Sequence, residues 1–196
     1  MELDFFNSSS YFIDEKVNFF QFENSYKVYN DKGVEVGSVN QKLSVWQKLF
    51  RLFLNKTMLP FNLEIKDLEG NVQASVSRGW TFFLSKIIIS DGSGRAFGSI
   101  KQKFKLFKPT FKICNNSDEL LATISGDWKA WEFVINDSSN NQIGTISKKW
   151  AGAMQEIFTS ADKYMVKIDP SYNNDSSKLS VIASAITIDM VLKESK

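Results

Sequence analysis

Short runs of alternating apolar and polar residues, each closed by a cluster rich in Asn, Asp or Gly, recur along this chain. Period-two alternation puts successive side chains on opposite faces of a strand, and residues that tolerate positive φ mark where the strand reverses. The runs at 26–29, 61–65, 86–89, 111–113 and 131–135 are therefore predicted strands entering turns at 30–33, 67–70, 91–94, 115–118 and 137–140. Out of each turn comes a small residue, a hydroxyl residue and a β-branched residue. The copies are Gly37-Ser38-Val39, Ala74-Ser75-Val76, Gly98-Ser99-Ile100, Ala122-Thr123-Ile124 and Gly144-Thr145-Ile146. They stand 37, 24, 24 and 22 residues apart, the range of a repeated supersecondary unit, and each unit reads as a hairpin. Six residues past each small residue stands a bulky apolar one: Leu43, Trp80, Phe104, Trp128 and Trp150. Tryptophan recurring at one repeat position predicts core packing rather than a ligand cage.

A sixth such strand, 164–168, ends at Asp169-Pro170. Six hairpin-like units give about twelve antiparallel strands, and so many in one small chain close into a barrel to remove exposed edges. A barrel that wide needs filling. Residues 179–192 (LSVIASAITIDMVL) are apolar on every side except at Ser180, Ser184, Thr187 and Asp189, the pattern of a helix buried all round, with Ser176 or Ser177 as its cap. The Val, Ile and Thr content also suits a strand. A membrane span is a third reading, but 14 helical residues reach about 21 Å against a hydrocarbon core of roughly 30 Å, and Asp189 makes insertion costlier.

Composition narrows the chemistry. With 196 residues and 43% hydrophobic content the chain can bury one full core, and no long linker divides it, so residues 1–196 are expected to form a single domain. The lone Cys114 excludes an internal disulfide, and the acidic start Met1-Glu2-Leu3-Asp4 lacks the features of a signal peptide, which together suggest a cytoplasmic protein. Without histidine, the common zinc sites, Ser-His and Cys-His nucleophiles and imidazole acid–base work are ruled out. No phosphate-binding glycine motif is present. No catalytic residue, metal or cofactor is expected.

The stretch Ile143-Gly144-Thr145-Ile146-Ser147-Lys148-Lys149-Trp150-Ala151-Gly152, followed by Glu156, Phe158-Thr159 and Ala161-Asp162, resembles the signature of phospholipid scramblases and their LURP-one-related and tubby C-terminal-like relatives. Phe22-Glu23-Asn24-Ser25-Tyr26 and Gly126-Asp127-Trp128 are also similar to the family, so the resemblance extends from about residue 11 to residue 192. It implies a mainly β fold: a twelve-stranded antiparallel tubby-like barrel around a central hydrophobic C-terminal helix. It also implies a lipid-related role, and calcium binding through an acidic segment after the Phe-Thr pair. Here Ser160 replaces the first expected aspartate, and Asp162 and Asp169 are separated by Lys163 and Lys167, too few oxygens for a calcium site.

Charge adds the partner. Residues 36–117 hold 13 Lys and Arg against 4 Asp and Glu, while the remainder holds 11 against 18. Lys101, Lys103 and Lys105 alternate onto one strand face, and a turn at Lys108-Pro109 would return Lys112 beside them. These five lysines are the expected head-group contact for an anionic phospholipid or membrane surface. Residues 43–54 place Trp46, Leu49, Phe50 and Phe53 on one face of a basic amphipathic helix that could lie on a membrane or simply flank the domain. No nucleic-acid partner is expected, since the pI is only about 8.5 and no recognition motif is present. The sequence thus points to a non-catalytic, membrane-peripheral lipid-binding barrel, with a cytosolic protein-interaction scaffold as the alternative.

Overall fold

The computed structural model describes residues 5, 8–17, 24–42, 59–80, 86–103, 109–127, 129–149, 163–172 and 175–194. The strands are β1 (Ser10–Val17), β2 (Asn24–Tyr29), β3 (Glu35–Lys42), β4 (Phe61–Asp67), β5 (Val72–Arg78), β6 (Lys86–Asp91), β7 (Ala96–Lys103), β8 (Thr110–Asn115), β9 (Leu120–Asp127), β10 (Glu132–Asp137), β11 (Gln142–Ser147) and β12 (Lys163–Ile168), followed by helix α1 (Asp175–Glu194). Every strand pairs antiparallel with its sequence neighbours, and β12 closes on β1, so the twelve form one barrel without a free edge.

Five hairpin turns share one construction. In those opened by Asn30, Asp67, Asp91, Asn115 and Asp137, the opening N–H donates to the carbonyl four residues on, and the N–H three residues on donates back, at 2.9–3.2 Å. The opening side chain then accepts the N–H four residues on at 2.8–3.0 Å. The fourth residue of each turn is left-handed: Gly33, Gly70, Gly94, Asp118 and Asn140. Only Gly, Asn and Asp adopt that region readily, which is why the sequence clusters read as turns.

The triplets occupy the strands that leave these turns. Their small residues face a branched aliphatic across the hairpin (Val28–Gly37, Ile65–Ala74, Ile89–Gly98, Ile113–Ala122, Ile135–Gly144), and the register shifts immediately beyond each pair. At Gly37 the next strand comes so close that an added Cβ would lie 2.3 Å from the Lys66 carbonyl oxygen. The third residues, Val39, Val76, Ile100, Ile124 and Ile146, are all fully buried inside the barrel.

Helix α1 fills the interior. Each side chain from Lys178 to Val191 is buried, giving the all-round burial that the apolar pattern predicts. Ser184 Oγ donates to the Ser180 carbonyl at 2.6 Å and Thr187 Oγ1 to the Ala183 carbonyl at 2.8 Å, so these hydroxyls bond along the helix itself. At 20 residues the helix outruns the expected 179–192, and Ser176 and Ser177 lie within it rather than capping it. No described helix is long and apolar enough to cross a membrane.

Candidate anionic-ligand surface

The outer faces of β6, β7 and β8 carry a ladder of like charges. Lys101 stands directly opposite Lys86 on β6 and directly opposite Lys112 on β8. Side chains at such positions are about 4.5–5.5 Å apart at Cβ, and like charges facing each other there are destabilising unless something offsets them. Part of the offset is Asp118, in the turn between β8 and β9, whose carboxylate forms an ion pair with Lys101. The hydrogen bond from Lys101 holds the Asp118 carboxyl below its ordinary range, with the Lys101 and Lys86 charges adding to the effect; the same bond raises Lys101. Lys86 is exposed and Lys112 half-buried.

Lys101 and Lys112 are brought side by side as the turn at Lys108-Pro109 suggested, and Lys103 continues β7 opposite Thr110. Lys105 and Lys108 lie outside the described residues, as do Trp46, Leu49, Phe50 and Phe53 of the amphipathic segment. Two participants were missed. Lys86 precedes the turn at 91–94 and falls outside the strip at 101–112, and Asp118 stands in the sequence only as a turn residue; the hairpin register across 91–95 is the signal that finds Lys86.

Trp80 corrects another expectation. Its place in the repeat suggested core packing, but it is 54% exposed at the end of β5. Repeat position fixes the point at which the chain leaves the barrel wall, not the side chain's burial. Trp128 and Trp150, at the same repeat position, lie outside the described residues. Trp131, just before β10, is half-buried with φ 53°. Its ring packs 5.4 Å from that of Tyr164, and the Lys148 ammonium sits 4.6 Å over its face.

Among the described residues no three His, Cys, Asp or Glu gather as a metal would require. Asp162 lies outside them, and Asp169 accepts the Ser171 N–H and hydroxyl at 2.9 and 2.6 Å in a turn.

A closed twelve-stranded antiparallel barrel around one hydrophobic helix defines the tubby-like class. The Scramblase family model matches residues 13–195, and the chain belongs to that family. It is 25% identical over 187 residues to phospholipid scramblase family member 5 of Homo sapiens, covering 87% of this chain and 66% of that one. A phospholipid scramblase family protein of Schizosaccharomyces pombe is 23% identical over 154 residues, 74% of this chain and 40% of its own. Altered inheritance rate of mitochondria protein 25 of Saccharomyces cerevisiae is 20% identical over 194 residues, 83% and 59%. The chain therefore spans less than two thirds of the length of these relatives. An X-ray structure of an Arabidopsis thaliana protein superposes with a TM-score of 0.52 at 10% identity, covering 93% of this chain and 94% of that one, a likeness of fold alone.

Proposed function

We propose that this protein is a non-catalytic, membrane-peripheral barrel that binds anionic phospholipid head groups through the ladder of Lys86, Lys101 and Lys112. The observation that carries the reading is the direct cross-strand apposition of three lysines on neighbouring strands. Such an arrangement works against stability when empty and is relieved when an anion lies across it. Scramblase-family membership supplies the lipid-related, membrane-associated context.

The test is a charge-matched comparison in vesicle co-sedimentation. Lys86→Glu with Lys112→Glu leaves the Lys101–Asp118 pair intact and reverses two ladder charges. Lys32→Glu with Lys167→Glu makes the same change in net charge at exposed positions away from the ladder. Each surface lysine near an anionic membrane is worth on the order of fivefold in affinity. The ladder variant should therefore lose more than about tenfold, with its melting transition intact, while the control stays within about twofold. Equal losses would reduce the effect to net charge, and no vesicle binding by the wild type would leave the protein-scaffold reading in its place.

A further inference from the structure

The two ends of the barrel differ in chemistry. An antiparallel meander places alternate connections at opposite ends, so the five turns opened by Asn30, Asp67, Asp91, Asn115 and Asp137 all lie at one end. Those turns, residues 30–34, 67–71, 91–95, 115–119 and 137–141, hold seven carboxylates, two cations and no aromatic residue. At the other end, the described residues of the returning connections, 59–60, 79–80, 109, 129–131 and 148–149, hold two Trp, three Lys and no carboxylate.

Described side chains at this second end show the same character. Trp80 is 54% exposed. Lys86 begins β6 at this end, Lys129 is exposed two residues before Trp131 in sequence, and Lys149 is exposed even while pairing with Glu132 at 2.6 Å. Trp131 holds a left-handed backbone that a bulky residue rarely adopts, and its ring contacts both the Tyr164 ring and the Lys148 ammonium. Tryptophan with a polar edge and an apolar body settles at the boundary between head groups and acyl chains, and lysine beside it is drawn to anionic lipid. A rim combining both matches an anionic bilayer. A purely ionic partner would leave the tryptophans unexplained.

From this polarity we infer that the barrel docks end-on. The rim bearing Trp80, Lys86, Lys129, Trp131, Lys148 and Lys149 faces the bilayer, and the acidic turns point into water. The inference rests on the lipid-binding reading above and adds the face and orientation. Lys86, the first residue of β6, belongs to this rim, whereas the Lys101 ammonium pairs with Asp118 of an acidic turn and so reaches toward the opposite end. End-on docking therefore brings Lys86, together with the rim lysines, to the head-group layer.

An environment-sensitive fluorophore attached in turn to Trp80→Cys and Ser139→Cys tests the orientation, the native Cys114 being buried. The vesicles combine phosphatidylserine and phosphatidylcholine with a head-group-level nitroxide quencher. The label at position 80 should shift to the blue and be quenched, and that at position 139, in an acidic turn, should do neither. Unlabelled Trp80→Ser should lose at least about fivefold in vesicle affinity with its melting transition intact. Leu68→Ser, 51% exposed at the acidic end, should match wild type. If binding depends on the ladder but position 139 is quenched as strongly as position 80, the orientation falls and the lipid reading stands. If wild type ignores anionic vesicles, both fall.

Discussion

The hydroxyl of Tyr26 on β2 donates to a carboxylate oxygen of Asp189 on α1 at 3.3 Å, tying the barrel wall to the helix inside it across 163 residues of sequence. Both residues are essentially inaccessible to solvent. The Tyr164 hydroxyl is also fully buried but has no hydrogen-bond partner among the described residues. Burial, reinforced by the nearby Asp189 charge, pushes its pKa well above the ordinary tyrosine value.

These two tyrosines should respond oppositely to loss of the hydroxyl. Tyr26→Phe takes a donor from a buried carboxylate and should cost about 1–3 kcal/mol in denaturant unfolding, whereas Tyr164→Phe should be neutral or stabilising. The pH dependence follows from the raised Tyr164 pKa. The unfolded chain ionises near pH 10 while the folded one keeps its proton, so stability is full below pH 10 and falls above it. Tyr164→Phe should remove part of that alkaline loss. An alkaline limb as steep in the variant as in wild type would contradict the assignment.

Close strand approach makes a similar paired prediction. An added Cβ at Gly37 meets a backbone oxygen at 2.3 Å and the Phe5 ring at 3.0 Å, while at Gly79 nothing lies within 4 Å. Gly37→Ala should destabilise by about 1–3 kcal/mol and Gly79→Ala by no more than about 0.5, read from urea midpoints. Equal midpoints for the two variants would show that the barrel wall yields at Gly37.

The barrel was legible because each hairpin repeats one local rule. An Asx residue opens the turn, a residue tolerant of positive φ stands fourth in it, and a small, hydroxyl and β-branched triplet follows. Each element of that rule depends on residues within about ten positions, as did the apolar pattern of α1. The candidate site was legible only in part, because Lys86, Lys101 and Asp118 meet through register across two hairpins with a bulge in each. A one-residue shift changes which side chains face each other, and sequence alone does not set the bulges. Trp80 departs from its expected burial for a related reason: position in a repeat says where the chain lies, not what covers it.

The turns also set the acid limit of the fold. Hydrogen bonds from the Ser93 side chain, the Asn141 side chain and the Ser171 side chain hold Asp91, Asp137 and Asp169 below the ordinary carboxyl value. At Asp67 burial pushes upward, but bonds from Asn71 and Gln73 outweigh it. A carboxyl lowered in the folded state adds stability that is present above its unfolded pKa and lost as pH falls through the folded value. Unfolding free energy should therefore be flat from neutrality to about pH 5 and drop below about pH 4. Asp137→Asn should shallow that drop, and an unchanged acid limb would contradict the role of the turn.

The most direct measurement of the central claim is co-sedimentation of the wild-type protein with phosphatidylcholine vesicles of increasing phosphatidylserine content, at two salt concentrations. The expected result is negligible binding to neutral vesicles, a steep rise with anionic content, and weakening at high salt, because screening shortens the reach of surface charge to about 8 Å at physiological ionic strength and further above it. Binding equally strong on neutral vesicles, or absent from anionic ones at low salt, would contradict it.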